Sequence, residues 1–123
     1  MESRPLDSVE AIAPRRIWEG VAGRVVAGEH LTLGVIELDP DAHVPEHHHG
    51  NEQLGLVITG SVRFRVGDET RELGPGGTWR IAADVPHEVV AGPAGAVLID
   101  AFSPPREDWE SIDPQPARPA VWP

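Results

Sequence analysis

The chain is expected to be all-β, and three observations carry that expectation. Short runs rich in Val, Ile, Leu and Thr recur along it, separated by Gly, Pro and Asp. No segment of the 123 residues sustains apolar positions at helical spacing. The distance from one run to the next suits a sandwich or small barrel. Strands are expected at 16–18, 23–26, 30–38, 53–59, 61–66, 70–73, 78–82, 87–91 and 96–102. Gly60 lies between two apolar runs and reads as a tight turn, and Val66-Gly67-Asp68-Glu69 reads as the next hairpin, which makes 53–73 a meander. Leu73-Gly74-Pro75-Gly76-Gly77 then breaks the sheet.

A chain of this length fits one domain with a real core. Residues 1–15 form an N-terminal segment, 16–103 the barrel, and 104–123 a Pro-rich tail. Pro104, Pro105, Pro114, Pro116, Pro119 and Pro123 disfavour regular pairing there. Residues 106–112 have room for one helical turn. Beyond it the tail is expected to be extended and loosely held, with Trp109 and Trp122 as anchors.

A formal net charge of −10 argues against nucleic acid or an anionic membrane as partner, so any anionic ligand must be held locally. The first fourteen residues carry acids and prolines where a signal peptide has an apolar run, and no stretch resembles a membrane span, so a cytoplasmic location is expected. Cysteine, tyrosine and lysine are absent, and all ten basic residues are Arg. Thiolate nucleophiles, Schiff-base lysines and phenolic acids are therefore excluded. What remains is His, Asp, Glu, a few hydroxyls, Arg as an anion clamp, and a metal.

His47-His48-His49-Gly50-Asn51-Glu52-Gln53 points to that metal. In an extended segment His47 and His49 share a face while His48 points away, and a turn at Gly50-Asn51 brings Gln53 back to the same centre. With the isolated His87 after Pro86, the set is His47, His49, Gln53 and His87 around one divalent ion. Three imidazoles and an amide oxygen accept Zn, Ni, Mn, Fe or Co. His30, His43 and His48 read as solvent-facing or structural. Gly55 shares the face of Gln53 and is expected to leave room for a ligand. Asp100 and Phe102 share one face of the last strand, opposite Val97, Ile99 and Ala101. Arg24 is a further candidate for anion binding, while Trp18 and Trp79 read as core or interface aromatics and Phe64 as core.

These residues also carry a family resemblance. His47-x-His49, Gln53 and Gly60 resemble the first cupin motif, with Gln for the usual Glu and Asp41 in place of the leading Gly. Gly76 to His87 is similar in spacing to the second motif, with Ala82 and Asp84 in place of its Pro and second Gly. Asp100-Ala101-Phe102-Ser103-Pro104-Pro105-Arg106-Glu107-Asp108 resembles the ending of the small cupins called pectin-degradation proteins of the KdgF type. The resemblance implies a double-stranded β-helix, a homodimer by analogy with small cupins, and a small anionic sugar as substrate. The implied reaction is ketonisation of the 4,5-unsaturated uronates left by pectate or alginate lyases. The expected catalytic residues are Asp100 as proton carrier, Arg106 as clamp on the uronate carboxylate and Phe102 packing on the sugar face. Two other classes stay open: another cupin enzyme with the same ligands, such as a polyketide cyclase or small-molecule lyase, and a non-enzymatic sugar- or metal-binding module.

Overall fold

The computed structural model describes residues 4–123. After a short 3-10 turn at Val9–Ala11, eight strands follow: β1 (Arg15–Trp18), β2 (Val21–Ala27), β3 (Thr32–Leu38), β4 (His43–His47), β5 (Glu52–Val66), β6 (Glu69–Leu73), β7 (Thr78–Ile81) and β8 (His87–Ser103). One helical turn, α1 (Glu107–Glu110), closes the regular structure, within the span expected for it. All pairings are antiparallel, in the order β1-β2-β3-β8-β5-β6, with β4 on β8 and β7 on β5. No described helix is long and apolar enough to cross a membrane.

β5 and β8 are each shared by two layers. Their outer portions, 52–60 and 96–103, pair with β7 and β3, and their other portions pair with β6 and β4. Val21, Ile36, Val57 and Leu98 of one layer pack in a single core with Val44, Val62, Phe64 and Val89 of the other. The period of two then fixes what faces inward. Thr32, Gln53 and Phe102 fall in one cross-strand row, and Gly34, Gly55 and Asp100 in the next.

Three expectations about connections are corrected here. Gly60 does not turn the chain. β5 runs through it and stays paired with β8, with register shifts on both sides and Gly60 at φ 78°. A Cβ there would stand 2.0 Å from the Gly95 carbonyl oxygen, so glycine permits the close approach at which both long strands bend. The meander is therefore only the β5–β6 hairpin, with Gly67 at φ 58°. The second correction is β4, which the strand pattern omitted because His43-Val44-Pro45-Glu46-His47 has one apolar inward residue and a proline. Third, the tail is tied down rather than loosely held. Pro114 bridges Arg15, Gln115 N–H donates to Pro14 O at 2.8 Å, and Val121 N–H donates to Glu37 at 2.9 Å.

Asp41 and Asp84 stand where the motifs that the sequence resembles have glycine, and both adopt a backbone conformation that glycine favours. Asp41 and Asp84 have φ of 62° and 64°, the left-handed region that Asp tolerates better than most residues. Asp84 N–H also donates to His49 O at 2.8 Å, joining the two motifs.

Candidate metal centre

One end of the core gathers the histidines. β4 ends at His47, the connection to β5 carries His49, and His87 opens β8 in register with His47. Their ligand atoms all lie within 4.8 Å of one another. Each ring is oriented by the backbone: the Nδ1 of His47, His49 and His87 meets the carbonyl oxygens of Pro45, Asn51 and Val85 at 2.8, 3.0 and 2.9 Å. A carbonyl only accepts, so Nδ1 carries the proton and Nε2 presents a lone pair, the tautomer a metal ligand requires. Burial lowers all three pKa values, that of His87 to about 4, and the nearby Arg106 guanidinium adds to the shift. The rings are thereby kept neutral.

Two observations show that this donor set fits a divalent cation. His87 Nε2 is buried without a hydrogen-bond partner, a cost that coordination removes. Gln53 Oε1 stands 3.1 Å from His49 Nε2. With Nδ1 protonated and the ring neutral, these are two acceptors facing each other, an arrangement that a shared cation stabilises. A separation near 3 Å is within reach of two ligand atoms that would each stand about 2.1 Å from one ion.

Behind these candidate ligands lies a buried polar network. Gln53 Nε2 donates to Asp100 Oδ1 at 2.8 Å, and Trp79 Nε1 donates to the same oxygen at 2.7 Å. Burial pushes the Asp100 carboxyl up to about 6 against the opposing influence of those two donors. No described residue donates to Oδ2. The space beside Gly55, expected to receive a ligand, is taken by this network: a Cβ on Gly55 would lie 2.4 Å from Asp100 Oδ1 and 2.5 Å from Trp79 Nε1.

Arg106 faces the same pocket as His47, His87, Gln53 and Asp100. Its guanidinium lies over the Phe102 and Trp109 rings, 4.8 and 4.3 Å from their centroids. Asp108 holds Nε and Nη2 in a bidentate pair at 3.0 and 2.9 Å, so the fork is already engaged within the chain. The buried Thr32 hydroxyl accepts the Arg106 N–H at 2.9 Å. Asn51 Nδ2 donates to Pro104 O and Pro105 O, which ties the histidine loop to the Arg106 segment.

The structure thus brings His47, His49, Gln53, His87, Asp100, Phe102 and Arg106 to one pocket or its rim. It does not bring Arg24 there. Arg24 leaves β2 on the face opposite Asp100, where it pairs with Glu37 at 3.2 Å and donates to Ile12 O and Arg118 O. It is a buried clamp on the two terminal segments, not an anion site. His48 is exposed near Asp84, His30 is exposed, and His43 pairs with Glu88. Three contributors went unassigned at the site. Trp79 anchors Asp100, Trp109 backs Arg106, and Trp18 sits 5.5 Å from the His47 ring. Only Trp109 had a signal, its place three residues after Arg106.

A cupin domain family model matches residues 34–102, more than half of the chain. The chain belongs to the cupin family. Among solved structures, this cupin is similar to an RmlC-like cupin from Shewanella frigidimarina, with TM-score 0.81 and 28% identity over 87% of this chain and 96% of that one. It is also similar to KdgF from Halomonas sp., with TM-score 0.79 and 25% identity over 86% of this chain and 98% of that one. A pectin degradation protein KdgF from Dickeya dadantii is 35% identical over 65 residues, 53% of this chain. That match spans 59% of the length of the Dickeya protein.

Proposed function

We propose that this cupin is an enzyme that ketonises 4,5-unsaturated uronates, using one divalent ion held by His47, His49, Gln53 and His87. The observation that carries the proposal is the meeting, in one pocket, of that ligand set with a buried carboxyl and a guanidinium. The likeness to two KdgF proteins, one of them described as a pectin degradation protein, supports the substrate class. The ion, when bound, supplies Lewis acidity that polarises substrate oxygens and stabilises negative charge.

The chain's own residues supply the rest. Asp100, ionised at neutral pH and accessible through Oδ2, takes the proton of the anomeric hydroxyl as the bond from C1 to the ring oxygen breaks. C1 becomes an aldehyde and the ring oxygen becomes the enolate oxygen on C5. Asp100 then returns that proton to C4, C5 becomes a ketone, and no atom is gained or lost. A carboxyl whose pKa stands near 6 suits both halves of this transfer. Arg106, held against the Phe102 and Trp109 rings, supplies positive charge for the uronate carboxylate, and Phe102, buried beneath that guanidinium rather than open to the sugar, keeps it in place. The apolar walls from Ile36, Val89 and Leu98 exclude water behind the substrate.

Running the reaction in deuterium oxide and examining the product by proton NMR tests the scheme. One deuterium at C4 with an aldehyde at C1, formed by wild type and at least a hundredfold more slowly by Asp100→Asn, is the expected result. Wild-type rates from Asp100→Asn would remove Asp100 from the mechanism.

A further inference from the structure

We infer that Trp79 is a positioning residue: its indole N–H fixes Asp100, and Asp100 in turn fixes which end of the Gln53 amide faces the three imidazoles. The inference rests on Gln53 being a metal ligand, and it assigns a function to a tryptophan that packing alone does not explain.

Trp79 stacks on Phe64 with ring centroids 4.6 Å apart in the core. A phenylalanine would pack there without a polar atom to satisfy, whereas the indole N–H reaches Asp100 Oδ1 at 2.7 Å. The contact is built across three strands. Trp79 of β7, Gly55 of β5 and Asp100 of β8 are direct register partners in one row. The middle residue is a glycine, and the missing Cβ is the space in which the indole and carboxyl meet. Gln53 lies two residues before Gly55 on the same strand face and shares the same carboxyl oxygen.

The two ends of an amide are nearly equal in size, so packing cannot choose between them. Turned over, Gln53 would direct its NH2 at His49 Nε2, 3.1 Å away in the present arrangement. That nitrogen is an acceptor, so it would form a good hydrogen bond that caps the lone pair and removes the amide oxygen from the ion. Oδ1, held by Trp79, breaks the tie because it accepts the NH2 and repels the carbonyl end. Loss of an outer-shell partner of this kind lowers metal affinity by about 10- to 100-fold.

The test uses the full chain loaded with Co(II), read by visible absorption and by chelator competition, so that no assay of uronate turnover enters. Trp79→Phe is expected to bind Co(II) about tenfold more weakly than wild type and to show altered ligand-field bands. Gly55→Ala, which keeps the indole but wedges it from the carboxyl, is expected to do the same. Val62→Ala, which removes buried methyls elsewhere in the core, is expected to lower Tm and leave both Co(II) readouts unchanged. Wild-type affinity and spectrum in Trp79→Phe would overturn the positioning role while Gln53→Leu still perturbs the spectrum. An unperturbed spectrum in Gln53→Leu would instead remove Gln53 as a ligand, and the inference with it.

Discussion

Replacing Arg24 by Leu removes the cation from a buried pair and leaves Glu37 behind. Arg24 is 1% exposed and Glu37 6%. Removing one partner of such a pair costs about 3–5 kcal/mol, because the remaining charge is buried and uncompensated. The lower end applies here: Glu37 keeps the Val121 N–H at 2.9 Å and Arg118 Nη2 lies 3.7 Å away. The carbonyls of Ile12 and Arg118 lie toward the surface, where water replaces the lost donors. For 123 residues at about 2.1 cal/mol/K each, about 3 kcal/mol corresponds to a fall in Tm of about 12 °C. Urea unfolding of metal-loaded wild type, Arg24→Leu and the double variant Arg24→Leu/Glu37→Leu measures it. The double variant should recover most of the loss, since two apolar residues leave no orphan charge. Metal content should not change, because Arg24 leaves the sheet on the face opposite Asp100. A single variant within 1 kcal/mol of wild type, or a double variant as unstable as the single, would refute the clamp.

Asp108→Ala frees the Arg106 fork on a pair whose acid is 66% exposed. Stability should change by less than about 1 kcal/mol, while KM for the uronate changes severalfold, read from initial rates and urea midpoints on the same preparation. Gln53→Glu sets a second carboxylate against Asp100 Oδ1 in place of the NH2 that donates at 2.8 Å; turnover should fall at least tenfold although the ion stays bound, as metal analysis would show. Metal-free protein should lose stability as pH falls from 6.5 toward 4, because the unfolded chain takes up protons on its histidines while burial keeps His47, His49 and His87 neutral. Asp100, raised to about 6, acts in the opposite direction between pH 6 and 3.8, but one carboxyl is set against three imidazoles. Urea midpoints that stay level or rise over that interval would contradict the burial assigned to the histidines. Asp84→Gly should hold stability within about 1 kcal/mol, whereas Asp84→Val should cost more, since φ 64° is strained for a β-branched residue.

Much of the ligand set was legible because it is local. Alternation put His47 and His49 together, and Pro86-His87 marked the strand start that pairs His87 with His47. The order of the hairpins was less legible, since Gly60 carries the same signal whether it turns a strand or bends one, and only its pairing with Ala96 of β8, against the Gly95 carbonyl, distinguishes the two. Gly55 misled for a related reason. A glycine announces empty space without saying which neighbour fills it, and here Trp79 and Asp100 come from strands more than twenty residues away. Arg24 read as a candidate for anion binding because its partners, Glu37 on the neighbouring strand and the carbonyls of Ile12 and Arg118 in the two terminal segments, are set by the tertiary fold. Asp41 and Asp84 looked like departures from the motif glycines, and the left-handed backbone they adopt is one that sequence alone does not announce for Asp.

The most direct measurement of the central claim follows the ultraviolet absorbance of freshly generated 4,5-unsaturated galacturonate with chelator-stripped protein, the same protein reloaded with one divalent ion per chain, and reloaded Asp100→Asn. Rapid loss from the reloaded wild type alone, with the stripped protein and the variant close to the spontaneous rate, is the predicted result. Loss no faster than spontaneous from folded wild type with its ion bound would contradict the account.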